Sequence, residues 1–163
     1  MIFLSIYEEI IHILQEKQKH IATMESCTGG AVASEITNHN GASEILKFSA
    51  VTYSNEYKIK MGVDASVIDE YSVYSIETAI EMAKNISQFA NADYGIGITG
   101  KLNNPDPANP RGEDDEVFIA IYDKEKNEFH KYNMKADKEK TRKENKETII
   151  ELIGSSLLEL LKS

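Results

Sequence analysis

The stretch Glu25-Ser26-Cys27-Thr28-Gly29-Gly30 holds the residue types that a nucleophilic site needs. The short apolar run from His20 to Met24 reads as a strand, and Ala31, Val32, Ala33 and Ile36 read as the start of a helix. A serine at such a turn exposes its hydroxyl at the sheet edge, with the N–H groups of Thr28, Gly29 and Gly30 near enough to cradle an oxyanion. The glycines let the backbone approach a carbonyl or phosphate closely, and the helix that follows favours negative charge there. An ordinary N-cap and tight turn would use the same residues, so spacing alone leaves both readings open.

Two nucleotide motifs are excluded directly. Walker A requires a lysine and a hydroxyl residue after its last glycine, and here Ala31 and Val32 follow Gly30. No Gly-x-Gly-x-x-Gly follows the first strand, and Gly95-Ile96-Gly97 falls inside a strand pattern.

The elements that must position Ser26 follow from periodicity. Ser5 to Lys19 predicts an amphipathic helix with Ile6, Ile10, Ile13 and Leu14 on its apolar face. Ile45 to Tyr53 predicts a second strand, Asn55 to Met61 a short helix closed by Gly62, and Ala65 to Tyr71 another. Ser75 reads as the N-cap of a helix carrying Ile80, Met82, Ala83 and Ile86. Asp93 to Thr99 reads as a glycine-rich strand, and Lys101 to Glu116, with all three prolines, as a loop. Val117 to Tyr122 and Glu128 to Met134 predict an antiparallel hairpin, and Lys138 to Leu161 a closing helix. The sum is an α/β chain, a three-layer α/β/α sandwich around a mixed, mostly parallel sheet of about five strands with one antiparallel strand. Ligands in such folds bind beyond the carboxyl ends of the strands, which selects the turns after Met24, Tyr53 and Thr99.

Composition narrows the classes of partner. The 163 residues, 41% hydrophobic and 28% charged, fit a single domain over 1–163. With 18 basic against 27 acidic residues and a formal charge of −9, an extended phosphate-binding face is not expected, so no nucleic acid is assigned as partner. One cysteine cannot form an internal disulfide, and Cys27 with His12, His20, His39 and His130 makes no metal-ligand spacing. We therefore expect no metal and no cofactor. The opening Met1 to Leu4 is too short for a signal-peptide apolar region, and no long apolar run follows, so the expectation is a cytoplasmic chain with no membrane partner.

Thr23-Met24-Glu25-Ser26-Cys27-Thr28-Gly29-Gly30 resembles the signature of the CinA C-terminal domain family, whose enzymatic members are nicotinamide mononucleotide deamidases. A second block agrees: Val51-Thr52-Tyr53-Ser54-Asn55-Glu56-Tyr57-Lys58, then Met61-Gly62-Val63, is similar to that family's strand-to-helix segment. Ser75, the strand ending in Thr99-Gly100, and Arg142 with Lys146 at the head of the last helix match in order. In the family this domain is often fused behind a larger molybdopterin-binding-like domain, and this chain reads as the stand-alone form. It departs after Gly100, where Lys101-Leu102-Asn103-Asn104-Pro105 replaces the family's Ile-Ala-Gly-Pro and further glycines.

The resemblance implies hydrolysis of a nicotinamide carboxamide, with a small-molecule nucleotide as substrate. Ser26 would be the nucleophile and Lys58 the base, provided that burial or a nearby cation such as Arg142 lowers its pKa, with Tyr53 relaying or orienting the proton. Thr28, Gly29 and Gly30 would hold the oxyanion. Asn55 and Gly100 fall in the matched blocks, and Thr99, Arg142 and Lys146 would meet the nucleotide phosphate. Judged alone, each has a plainer role: Lys58 as a solvated charge, Tyr53 as a half-buried strand residue, Arg142 and Lys146 as a solvated face with Glu139 and Glu147, and Cys27 as a packed small residue. The altered loop from Lys101 to Gly112 favours a second reading, a relative that keeps the pocket without turnover and binds a nucleotide or a partner in a competence or DNA-damage setting. A homo-oligomer could form through the hairpin edge around Phe129 or the apolar side of the last helix.

Overall fold

The computed structural model describes residues 3–163. The first helix, α1 (Ile6–Lys17), begins at a capping box in which Ser5 and Glu8 satisfy each other's backbone N–H groups. Its buried face is Tyr7, Ile10, Ile11 and Leu14; Ile6, expected on that face, is largely exposed. Strand β1 (Ile21–Glu25) follows, then α2 (Ala31–Thr37) and a short helix, α3 (Ala42–Ile45), that no periodicity signalled. Strand β2 (Leu46–Val51) stops before Tyr53, correcting the expected strand over 45–53 at both ends. Helices α4 (Asn55–Lys60), α5 (Ala65–Tyr71) and α6 (Ile76–Ala90) lead to β3 (Tyr94–Gly100). The hairpin β4 (Glu116–Asp123) and β5 (Glu128–Lys135) precedes α7 (Arg142–Lys162). This last helix starts four residues later than expected because Thr141 and Glu144 form its capping box.

The sheet order is β2-β1-β3-β4-β5. Strands β1, β2 and β3 are parallel, and β4 runs antiparallel to both β3 and β5, so it is the one reversed strand of the mixed α/β sheet. On one face, α1 and α7 cover Ile21, Ile96, Ile98, Ile119 and Ile121 with Ile10, Leu14, Ile149, Ile153 and Leu157. Ile149, Ile153, Leu157 and Leu161 of the last helix are therefore core, while Ile150, Leu152 and Leu158 on the same helix are only partly buried. Phe129 on the hairpin edge packs on Tyr122, ring centroids 4.7 Å apart.

On the other face, α6 lies unusually close to β3. A Cβ on Gly95 would fall 2.0 Å from the Ala83 carbonyl oxygen, and one on Gly97 2.3 Å from that of Ala79. The Gly-Ile-Gly pattern is thus a packing device: side-chain-free positions admit the helix backbone while Ile96 fills the opposite face. From β1 the chain crosses to β2 on one side and reaches β3 on the other, which makes the carboxyl end of β1 the topological switch point where such sheets form a crevice.

Candidate active site

Ser26 is the first residue past β1, at that switch point. Its N–H donates to the Ile98 carbonyl (3.1 Å), and the Thr52 N–H donates to the Glu25 carbonyl (2.8 Å), so both neighbouring strands fix the backbone here. The turn itself is organised by Glu25, whose side chain is fully buried. One carboxylate oxygen accepts from the Thr28 hydroxyl (2.7 Å) and the Val32 N–H (2.9 Å). The other accepts from the Ala33 N–H (3.0 Å) and the Thr23 hydroxyl (3.1 Å). Four donors converge on one buried carboxylate, which is what makes its burial tolerable. Gly29 (φ 62°) and Gly30 (φ 95°) then take left-handed conformations that side chains disfavour.

Lys58 faces this turn from α4. It is the buried residue of that helix, only 2% exposed, while its apolar neighbours Tyr57 and Ile59 lie on the surface. Its Nζ donates to Ser26 Oγ (3.1 Å) and to the Thr52 carbonyl (2.7 Å). Burial lowers its pKa from 10.5 to about 8, against the opposing pull of the Asp106 carboxylate. Arg142, expected as a candidate cause, is not among the groups that shift it. A substantial fraction of neutral amine is therefore present near pH 8, and a neutral amine can accept the Ser26 proton while still donating to Thr52. Burial pushes the Cys27 thiol up to about 12, outweighing the nearby Arg142, Lys58 and Lys146 charges, so beside Ser26 it stays protonated.

A cavity of about 330 Å³ opens over Ser26 between Tyr53, Tyr74, Gly100, Lys101 and Arg142. A second, also about 330 Å³, adjoins it and reaches Lys58 and Asn55 past Asp106. These are dimensions for a small molecule. Tyr53 stands at the mouth, 65% exposed, its hydroxyl 3.4 Å from Arg142 Nη2. Arg142 Nη1 donates to the carbonyls of Lys101 (3.1 Å) and Leu102 (2.7 Å), so one edge of the guanidinium holds the loop. A Cβ on Gly29 would lie 3.5 Å from Lys146 Nζ, which places that ammonium over the turn. Asn55 Nδ2 donates to Asn109 of the loop (2.8 Å).

Two expected roles do not fit this geometry. Thr99 is fully buried and its hydroxyl donates to the Val73 carbonyl (2.9 Å), so it ties β3 to the segment before α6 and is not presented to a phosphate. The Gly29 N–H donates to the Ser26 carbonyl (2.9 Å) and is thereby removed from the oxyanion set. Lys101, Tyr74, Asp106 and the Glu25 carboxylate were not singled out by sequence reasoning. A charged residue at the end of a buried strand, as Glu25 is, or directly after one, as Lys101 is, was the signal for both. Among the described residues no group of three or more His, Cys, Asp or Glu side chains could hold a metal ion, and no helix is long and apolar enough to cross a membrane.

Fold and site together define an α/β/α sandwich with a buried serine–lysine pair at its switch point. The chain belongs to the CinA C-terminal domain family, whose model matches residues 4–157. It is 34% identical over 158 residues to a CinA-like protein of Kosmotoga olearia, covering 96% of this chain and 38% of that relative. It spans only about a third of the length of the curated relatives it matches, 33% for two from Thermoanaerobacter. The solved structure of a CinA superfamily protein from Klebsiella pneumoniae aligns with a TM-score of 0.85 at 23% identity, covering 96% of each chain. A competence/damage inducible protein from Agrobacterium tumefaciens aligns at 0.83 and 24%, covering 100% of this chain and 99% of that one. At such identity these structures show the fold alone.

Proposed function

We propose that this chain is an amidohydrolase that converts nicotinamide mononucleotide to nicotinic acid mononucleotide and ammonia. The observation that carries the reading is the buried contact of 3.1 Å between Lys58 Nζ and Ser26 Oγ. Lys58 takes the Ser26 proton as Oγ bonds to the carboxamide carbon, and the tetrahedral oxyanion faces the Thr28 and Gly30 amides. The carbon–nitrogen bond then breaks, and the Lys58 ammonium returns the proton to the leaving nitrogen, which departs as ammonia. Water attacks the remaining ester, Lys58 takes its proton, and Ser26 leaves with that proton restored. Tyr53 orients the carboxamide from the mouth of the cavity, while Arg142 and Lys146 attract the phosphate.

The sequence of the 101–112 loop favours a second reading, a pocket that binds the nucleotide without turning it over. Incubating the protein with nicotinamide mononucleotide separates the two. Ammonia and nicotinic acid mononucleotide in equal amounts support the hydrolase; binding without product supports the second reading.

A further inference from the structure

The loop after Gly100 is built differently from the glycine-rich turn it replaces. Lys101 opens it with a side chain that is buried, 5% exposed as a residue, although lysine is seldom found there without partners. Its Nζ donates to the Pro110 carbonyl (3.3 Å), the Gly112 carbonyl (3.2 Å) and Asp114 Oδ1 (3.2 Å). Three acceptors meet three protons, and all three lie on the returning arm of the loop. The neck is closed a second time by the Asn103 N–H on the Asp114 carbonyl (2.8 Å). At the tip, Asp106 accepts from the Tyr74 hydroxyl, and Arg111 donates to the Ile68, Asp69 and Glu70 carbonyls at the end of α5. The Lys101 carbonyl is itself held by Arg142.

We propose that Lys101 is a positioning residue: its side chain binds the two arms of the 101–114 loop together and so fixes the wall that sets Asp106 against Tyr74 over the Ser26–Lys58 pair. No glycine lies between Gly100 and Gly112, so the loop is held by this tie and not by a compact glycine turn. Without the ammonium, two carbonyls and a carboxylate lose their shared partner, and the loop must be ordered anew each time a ligand enters. That cost falls on substrate binding, while the Ser26–Lys58 contact is untouched. The kinetic part rests on the proposed hydrolysis.

Lys101→Met keeps the length of the stem and removes the donors; Asp114→Asn, a milder variant, removes the charged acceptor and serves if the first does not fold. Limited trypsin cleavage at Arg111–Gly112 should be about tenfold faster in the variant than in the wild type, and KM for nicotinamide mononucleotide should rise about tenfold with kcat nearly unchanged. A folded variant cleaved as slowly as the wild type overturns the proposal. A fall in kcat at constant KM does so too, because that is the signature of a smaller folded fraction. A wild-type protein that releases no ammonia sinks the proposed hydrolysis and leaves the cleavage rates to judge Lys101.

Discussion

Lys58 Nζ lies 3.1 Å from Ser26 Oγ and is held there from behind by the Thr52 carbonyl at 2.7 Å. The two residues come from different strand-to-helix connections, and the parallel pairing of β1 with β2 brings them together. Burial depresses the amine to about 8. Turnover should therefore climb with pH along one limb and level off above about pH 8, as Lys58 loses its proton. A rate measured from pH 6 to 10 that is flat across this range would remove Lys58 as base.

The same shift has a consequence for stability. The folded-state pKa of Lys58 is lowered, so between about 8 and 10.5 the unfolded chain binds more protons than the folded one, and stability rises with pH through that window. Below it the full cost of burying an ammonium is felt, about 3 kcal/mol for a shift of this size. Lys58→Met should raise stability at pH 7 by about 1–3 kcal/mol, with the gain shrinking toward pH 10.5. Urea unfolding at pH 7 and pH 10 checks both the sign and the trend.

Glu25 is the hub of the catalytic turn. In Glu25→Gln one acceptor oxygen becomes an NH₂ group that faces backbone N–H groups or hydroxyls already placed to donate. The substitution should cost about 2–4 kcal/mol, read from the urea midpoint, and lower turnover in whatever fraction stays folded. An unchanged midpoint would mean that the turn is held by something else.

Gly97→Ala tests the fold that supports the site. The added methyl would lie 2.3 Å from the Ala79 carbonyl oxygen and 2.7 Å from the Ala83 nitrogen, both backbone, so α6 must move. A loss of about 3 kcal/mol or outright failure to fold is expected, measured by thermal unfolding. A variant as stable as the wild type would show that α6 is not tightly docked.

The Ser26 turn was legible in the sequence because its parts are local: an apolar run, two glycines, and a helical pattern within a few residues. Lys58 was not legible from pattern, since it is buried between exposed Tyr57 and Ile59, the reverse of what hydropathy directs; only the family motif pointed to it. Helix α3 has four residues, too few for a period of 3.6 to register, and only its last residue, Ile45, fell within the expected strand. Thr99 carries the residue type for a phosphate contact, but its hydroxyl is taken by a carbonyl 26 residues away in sequence, which no local pattern reveals. The tie made by Lys101 is hidden for the same reason, its acceptors lying nine to thirteen residues further on.

The central claim, that Ser26 attacks and Lys58 takes its proton, is tested most directly by ammonia release from nicotinamide mononucleotide. The wild type, Ser26→Ala and Lys58→Arg would be compared at pH 7 and pH 9, each shown to be folded by circular dichroism. The account predicts release by the wild type, faster at pH 9, and none above the uncatalysed background from either variant, because alanine has no nucleophile and a guanidinium keeps its proton. Release by folded Ser26→Ala or Lys58→Arg at the wild-type rate would contradict it.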